Sequence, residues 1–256
     1  MARMRPRTDR TDVFEDREVA ELYRHRPPYP PAIFAALERL LVAPHTVLDA
    51  GAGTGALART MVRFAARVDA LDPSEAMVAV GRTLPGGRSR RLRWIVGRAE
   101  QATLTPPYGL ITCGASLHWM DLEAVLARFH AVLQAEAVVA VVDTENVHGA
   151  YREEVWALIE RYGGAHHHVG WQELVERLDA SGRFEVLGVE RTPAVAFRQS
   201  VHDYVAYLHT TSALARTRLG RRAEAFDADL RAIFARYSLD ELSYGVSGLL
   251  AWGRLR

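Results

Sequence analysis

The spacing of apolar residues changes along the chain, and the changes outline the elements. Between residues 14 and 24, Phe14, Val19, Leu22 and Tyr23 keep a weak helical spacing, which stops at Pro27-Pro28-Tyr29-Pro30-Pro31. Ile33, Phe34, Leu37, Leu40 and Leu41 then recur at intervals that predict an amphipathic helix. Short apolar runs follow at 46–50, 68–72, 92–96, 110–113 and 137–142. Helical patterns lie between them, at 56–66, from Ser74 onward, and at 122–133 with Val125, Leu126, Phe129, Val132 and Leu133 on one face. Continuous apolar strands alternating with helices predict a parallel sheet covered on both faces. The later chain reads as a helix at 151–162, a strand over 184–195, and helices at 201–214 and 223–237. Its last run, 242–255, alternates loosely around Gly245, Gly248 and Gly253 and is expected to return to the sheet as a late strand.

Composition narrows the chemistry. The chain has 256 residues, 49% of them hydrophobic, with a formal charge of +1, the profile of a globular domain and not of a dedicated nucleic-acid binder. All 32 basic residues are Arg. With no Lys there can be no Schiff base, no phosphate-loop lysine and no Ser–Lys dyad. The bias toward Arg suggests a bacterial gene. A single cysteine, Cys113, excludes an intrachain disulfide and any multi-cysteine zinc site. Arg3, Arg5, Arg7 and Arg10 are followed by no apolar stretch, so residues 1–13 read as a flexible arm and not as a signal peptide. No run approaches the roughly 18 apolar residues of a membrane helix, and a cytoplasmic location without membrane contact is expected.

The informative stretch is Asp49-Ala50-Gly51-Ala52-Gly53-Thr54-Gly55-Ala56, where a strand runs into alternate glycines before a helix. Such glycines let backbone approach a ligand, and a helix start behind them would offer N–H groups to its anionic end. The spacing also satisfies the dinucleotide pattern of an NAD-dependent dehydrogenase. Against that reading, Asp49 would repel a pyrophosphate but welcome a cationic amine. Asp72, closing the second strand, can take both hydroxyls of a ribose under either reading. Ala115-Ser116-Leu117-His118-Trp119, after the fourth strand, has no counterpart in the dehydrogenase fingerprint.

Together, Asp49-x-Gly51-x-Gly53-x-Gly55, Asp72-Pro73-Ser74-x-x-Met77, Ala99-Glu100 and Ser116-Leu117-His118-Trp119 resemble a class I S-adenosylmethionine-dependent methyltransferase. Tyr23-Arg24-His25-Arg26-Pro27-Pro28-Tyr29-Pro30 is similar to an element of its trans-aconitate methyltransferase-like (type 11) branch. The resemblance implies an α/β fold: a Rossmann-like open sheet, mostly parallel, with a late antiparallel strand, helices on both faces and helical insertions forming a substrate cap. It implies one domain over 14–256, with a core at about 32–143, an N-terminal lid at 14–30 and cap insertions mainly within 144–240.

Carried over by residue, the resemblance sets Gly51, Gly53 and Gly55 against the methionine part of S-adenosylmethionine, with Asp49 near its amino group. Asp72 would hold the ribose, Pro73 and Ser74 would lie beside the adenine, and Ala99 and Glu100 would border its edge. Ala115 would sit near the sulfonium, while Tyr23 and Arg26 would close over the carboxylate. Arg98 stands where many relatives carry an acidic residue. The product would be S-adenosylhomocysteine, and the partner a small-molecule acceptor, handled by a monomer or homodimer.

His118 is the candidate catalytic base for a hydroxyl or amine acceptor. Arg152 and Arg198 are the late arginines placed to grip a carboxylate, which would need no base. O-methylation is the favoured reading; methyl-ester formation and cofactor binding without transfer are the alternatives. Neighbouring side chains diverge, so His166-His167-His168 is not expected to hold a metal. Arg88, Arg90, Arg91 and Arg93 read as a solvated turn. Of Tyr151, Trp156, Tyr162, Trp171, Tyr204, Tyr207 and Trp252, a few are expected to line an apolar substrate pocket.

Overall fold

The computed structural model describes residues 12–147, 149–164 and 170–256. In chain order the strands are β1 (Thr46–Ala50), β2 (Arg67–Asp72), β3 (Leu92–Val96), β4 (Leu110–Gly114), β5 (Val139–Val147), β6 (Phe184–Arg191), β7 (Val195–Ser200) and β8 (Glu241–Leu255). The helices are α1 (Arg17–Leu22), α2 (Pro31–Leu40), α3 (Ala58–Met61), α4 (Glu75–Thr83), α5 (Leu122–Val132), α6 (Arg152–Gly163), α7 (Trp171–Ala180), α8 (Val201–Leu208), α9 (Arg216–Leu219) and α10 (Ala223–Arg236).

One sheet runs in the order β3-β2-β1-β4-β5-β8-β6, with β7 also paired to β8. β1 to β5 are parallel, and β8 is antiparallel to β5, β6 and β7. β8 alone therefore runs against the rest, which is the late antiparallel strand expected. Successive β1 residues serve opposite faces: Val47 packs with Ile33, Leu37 and Met61, and Leu48 with Ile111, Leu126 and Phe129. Both faces are thus covered, and every β1 residue is buried. Hydroxyl and carboxylate caps start the helices where the pattern placed them. Ser74 Oγ accepts from Met77 N ahead of α4, and Asp121 Oδ1 accepts from Ala124 N ahead of α5.

Four expectations are corrected. The helix at 56–66 shrinks to α3, because bonds from Thr60, Arg63 and Phe64 to carbonyls three residues back tighten the chain on either side. The strand at 184–195 is two strands: Pro193 has no N–H for the ladder, and Thr192 instead exchanges bonds with Gly248. Asp12 and Val13, assigned to the arm, form the first 3-10 turn, with Val13 buried beside Met77 and Ala215. Arg93 is not part of a solvated turn. It donates twice, at 2.9 and 2.7 Å, to the buried carboxylate of Asp69, which also accepts from Tyr108. Among the described residues, no helix is long and apolar enough to cross a membrane.

The strand order reverses on either side of β1, β3-β2-β1 against β4-β5, and this opens a crevice above the carboxyl ends of β1 and β4. The segment from Val13 to Tyr29 lies over one side of it, tied down by Ser74 Oγ donating to Phe14 O. α6 and α8 close the other side, backed by α10 through Phe226 and Phe234.

Candidate functional site

The glycine loop is held from below by β2. Gly51 N and Ala52 N both donate to Leu71 O, at 2.8 and 2.9 Å. Gly53 N donates to Asp72 Oδ2 at 2.7 Å, and Ser74 N to Asp72 Oδ1 at 2.9 Å. Asp72 is 8% exposed and belongs to the wall of a cavity of about 2190 Å³. Each of its oxygens accepts one backbone bond and keeps a second lone-pair site. Burial pushes its pKa up, against the two backbone bonds.

Asp49 is placed differently from the expectation. It is 1% exposed, lies outside the cavity wall, and accepts from Thr112 Oγ1 at 2.8 Å and Ala58 N at 3.1 Å. It therefore caps α3 beneath the loop, and the N–H it takes is the one a ligand was expected to use. Gly55 is likewise behind the wall: a Cβ there would lie 2.6 Å from the Trp94 ring. Gly51 and Gly53 do face the cavity.

Burial raises the Asp49 pKa from 3.8 to about 7, against the bonds from Thr112 and Ala58 and with help from Asp72. Between those values the folded protein holds a proton that the unfolded chain has lost. Stability therefore falls as pH rises from about 4 toward 7. Asp49→Asn, whose amide can donate to Thr112 while its oxygen accepts from Ala58, should flatten that slope in urea titrations across the window. An unchanged slope would contradict the assignment.

The remaining predicted residues converge on the same cavity. Tyr23, Arg26, Pro73, Ser74, Ala99, Glu100, Ala115 and His118 all contribute to its wall, and Arg98 does as well. The Tyr23 ring stands over Gly53, 3.7 Å from where a Cβ would be. Arg26 lies 4.4 Å above that ring and donates to Thr210 Oγ1 at 2.8 Å and Thr210 O at 3.2 Å. Glu100 accepts from Asp121 N at 3.0 Å and lies 3.5 Å from Arg98. Ala115 has a φ of 49°, a left-handed conformation that costs a non-glycine residue of order 1 kcal/mol. It turns the chain into the 3-10 turn Leu117–Trp119, where the His118 ring packs 4.8 Å from Trp119 and Trp119 meets Phe14 at 5.7 Å.

Beyond Ala115 the cavity continues past residues that sequence reasoning missed: Tyr29, Asp143 and Asn146. Asp143 follows the apolar run 137–142 much as Asp72 ends its own run, and that shared pattern was the available signal. Burial raises the Tyr29 hydroxyl, aided by Asp143 and Asp49. Burial likewise raises Tyr207, opposed by Arg26 and aided by Asp143. Of the late aromatics, Trp156, Tyr204 and Tyr207 reach the wall. Tyr151 and Tyr162 pack against Phe234 and Phe226. Arg152 reaches the wall but Arg198 does not; it lies 3.6 Å from Glu241 on the outside. His166-His167-His168 falls outside the described residues.

Residues 47–136 match the family described as Methyltransferase domain. Similar solved structures include a protein from Anaeromyxobacter dehalogenans assigned as a type II methyltransferase, 26% identical with a TM-score of 0.61, covering 89% of this chain and 96% of that one. A protein from Anabaena variabilis, assigned as a methyltransferase from an antibiotic biosynthesis pathway, is 17% identical with a TM-score of 0.55, over 88% and 97%. A methyltransferase from Thiobacillus denitrificans, solved with S-adenosyl-L-homocysteine, is 16% identical with a TM-score of 0.52, over 93% and 97%. The last two likenesses speak to fold alone. No curated protein matches the chain.

Proposed function

We propose, from the premise that the chain is a class I S-adenosylmethionine-dependent methyltransferase, that it methylates an oxygen of a small-molecule acceptor, with His118 as the base. The observation that carries this reading is one continuous cavity. It runs from Gly53 and Asp72, past Ala115 and His118, to Asp143 and Tyr207, so cofactor and acceptor can occupy its two ends.

The residues suit the cofactor. Asp72 keeps a lone-pair site on each oxygen for the ribose hydroxyls, and Pro73, Ser74, Ala99 and Glu100 border a slot for the adenine. Arg26, stacked on Tyr23, supplies the positive charge for the cofactor carboxylate. Asp49 acts at one remove, capping α3 and so holding the loop. The bound cofactor supplies a methyl group activated by its sulfonium. The protein's own work is to align the acceptor, exclude water and remove a proton.

In that scheme His118 takes the proton from the acceptor hydroxyl. His118→Ala should lower turnover roughly a hundredfold on an acceptor found by a metabolite screen, with S-adenosylhomocysteine affinity kept. The wild-type rate should rise with pH as the imidazole loses its proton and then level off. Near-normal turnover in the variant would instead favour a carboxylate acceptor, which needs no base.

The segment 14–30 is read as the lid of the cofactor end, since it packs through Val19 and Ala20 on Met77 and sets Tyr23 over Gly53. Amide exchange across residues 19–26 should slow when S-adenosylhomocysteine is added. Equal exchange at saturation would make the segment a fixed extension.

A further inference from the structure

The acceptor end of the cavity carries polar chemistry of its own. β5 pairs with β4 so that Val142 lies opposite Gly114, and Ala115 N donates to Val142 O at 2.8 Å. β5 runs on past the end of β4, still paired with β8 as far as Val147, so Asp143 lies beside Ala115 and on the cavity wall. Asn146, three residues on, donates from Nδ2 to the Tyr207 hydroxyl at 3.3 Å. Its Oδ1 is buried and has no hydrogen-bond partner. Of the buried side-chain polar atoms in that condition among the described residues, this one alone belongs to a residue of the cavity wall. A buried carbonyl oxygen left unpaired is costly, and such atoms call for an explanation in a ligand or in water.

We infer that Asn146 and Asp143 form the acceptor-anchoring site and that it takes a neutral, ring-bearing hydroxyl compound, of the phenol class. The inference rests on the proposed function and deepens it. Three features select this class. Asn146 Oδ1 and the Asp143 carboxylate can only accept, so the ligand must bring a donor. An anionic acceptor would be desolvated beside the Asp143 charge. A cationic one would give up its hydration for a single carboxylate that already accepts from Thr144 N at 2.7 Å. A neutral donor loses least. Tyr29, Tyr204 and Tyr207 supply flat apolar faces for a ring.

The test is a binding titration of protein saturated with S-adenosylhomocysteine, using three matched probes: 4-methylphenol, 4-methylbenzoate and 4-methylbenzylamine. The phenol is expected to bind at least tenfold tighter than either charged probe. Asn146→Ala and Asp143→Asn should each weaken it about tenfold and leave S-adenosylhomocysteine affinity unchanged, which also serves as the folding control. Should Asp143→Asn disturb the cofactor end, Asn146→Ala decides alone. The inference is overturned if a charged probe binds as tightly as the phenol. It is also overturned if Asn146→Ala leaves phenol affinity unchanged, or if none of the three binds. Failure of the wild-type protein to bind S-adenosylhomocysteine would overturn the proposed function instead, and so the two failures are distinguishable.

Discussion

Alanine at Gly51 is expected to abolish both soluble folded protein and ligand binding. Gly51 has a φ of 71°, where an L side chain is strained, and its Cβ would lie 2.4 Å from Ser116 Cβ and 2.9 Å from Ser116 Oγ. Ser116 cannot step aside, because its hydroxyl donates to Ala50 O at 2.6 Å and the residue before it already holds a left-handed backbone. Several kcal/mol of strain would fall on the contact between the glycine loop and the β4 loop. Gly53 offers the contrast. Its φ is 57°, yet a Cβ there would meet only Tyr23 Cε1, at an ordinary 3.7 Å. Gly53→Ala should fold with a modest loss of about 1–2 kcal/mol, while Gly53→Val, filling space under the Tyr23 ring, should fold and fail to bind S-adenosylhomocysteine. Circular dichroism melts beside calorimetry separate the two effects. A Gly51→Ala protein that melts and binds like the wild type would refute the loop geometry.

The second large effect belongs to Asp72. Asp72→Ala strands the N–H groups of Gly53 and Ser74, each now donating to a charged oxygen, and removes the two sites left for ribose hydroxyls. Hydrogen bonds to a charged group contribute about 1.5–3 kcal/mol each, so the loss in S-adenosylhomocysteine affinity should be a hundredfold or more. Asp72→Asn, with one acceptor oxygen in place of two, should fall between. Affinity within threefold of the wild type in the alanine variant would place the ribose elsewhere.

Asp49 and Asp72 show how far the sequence could be read. Both end an apolar run, and by pattern they were assigned the same surface. The register separates them: Asp49 pairs with Ala70, two rungs below Asp72, so its side chain lies under the loop and not at the rim. No spacing in one strand reveals its depth relative to a neighbour. The parallel core was legible because each of its strands is a short apolar run bounded by turn residues. β8 was harder to read because its glycines answer to neighbours distant in sequence. Gly248, for example, leaves room for Ile33 of α2, which a Cβ would meet at 2.3 Å. α7 has an apolar side made by Leu174, Val175 and Leu178, yet it follows the 165–169 stretch and went unassigned. The late aromatics carried the right chemistry, but which of them face the cavity is a matter of tertiary packing. Tyr204 and Tyr207 line it, while Trp252 packs over Gly188.

The central claim is that this cavity holds S-adenosylmethionine at the Gly53 and Asp72 end. Calorimetric titration of the intact protein with S-adenosylhomocysteine, and separately with NAD, tests it most directly. Saturable binding of the sulfur ligand at one site per chain, lost in Asp72→Ala and with no response to NAD, is the predicted result. Tight binding of NAD with no response to S-adenosylhomocysteine would contradict it.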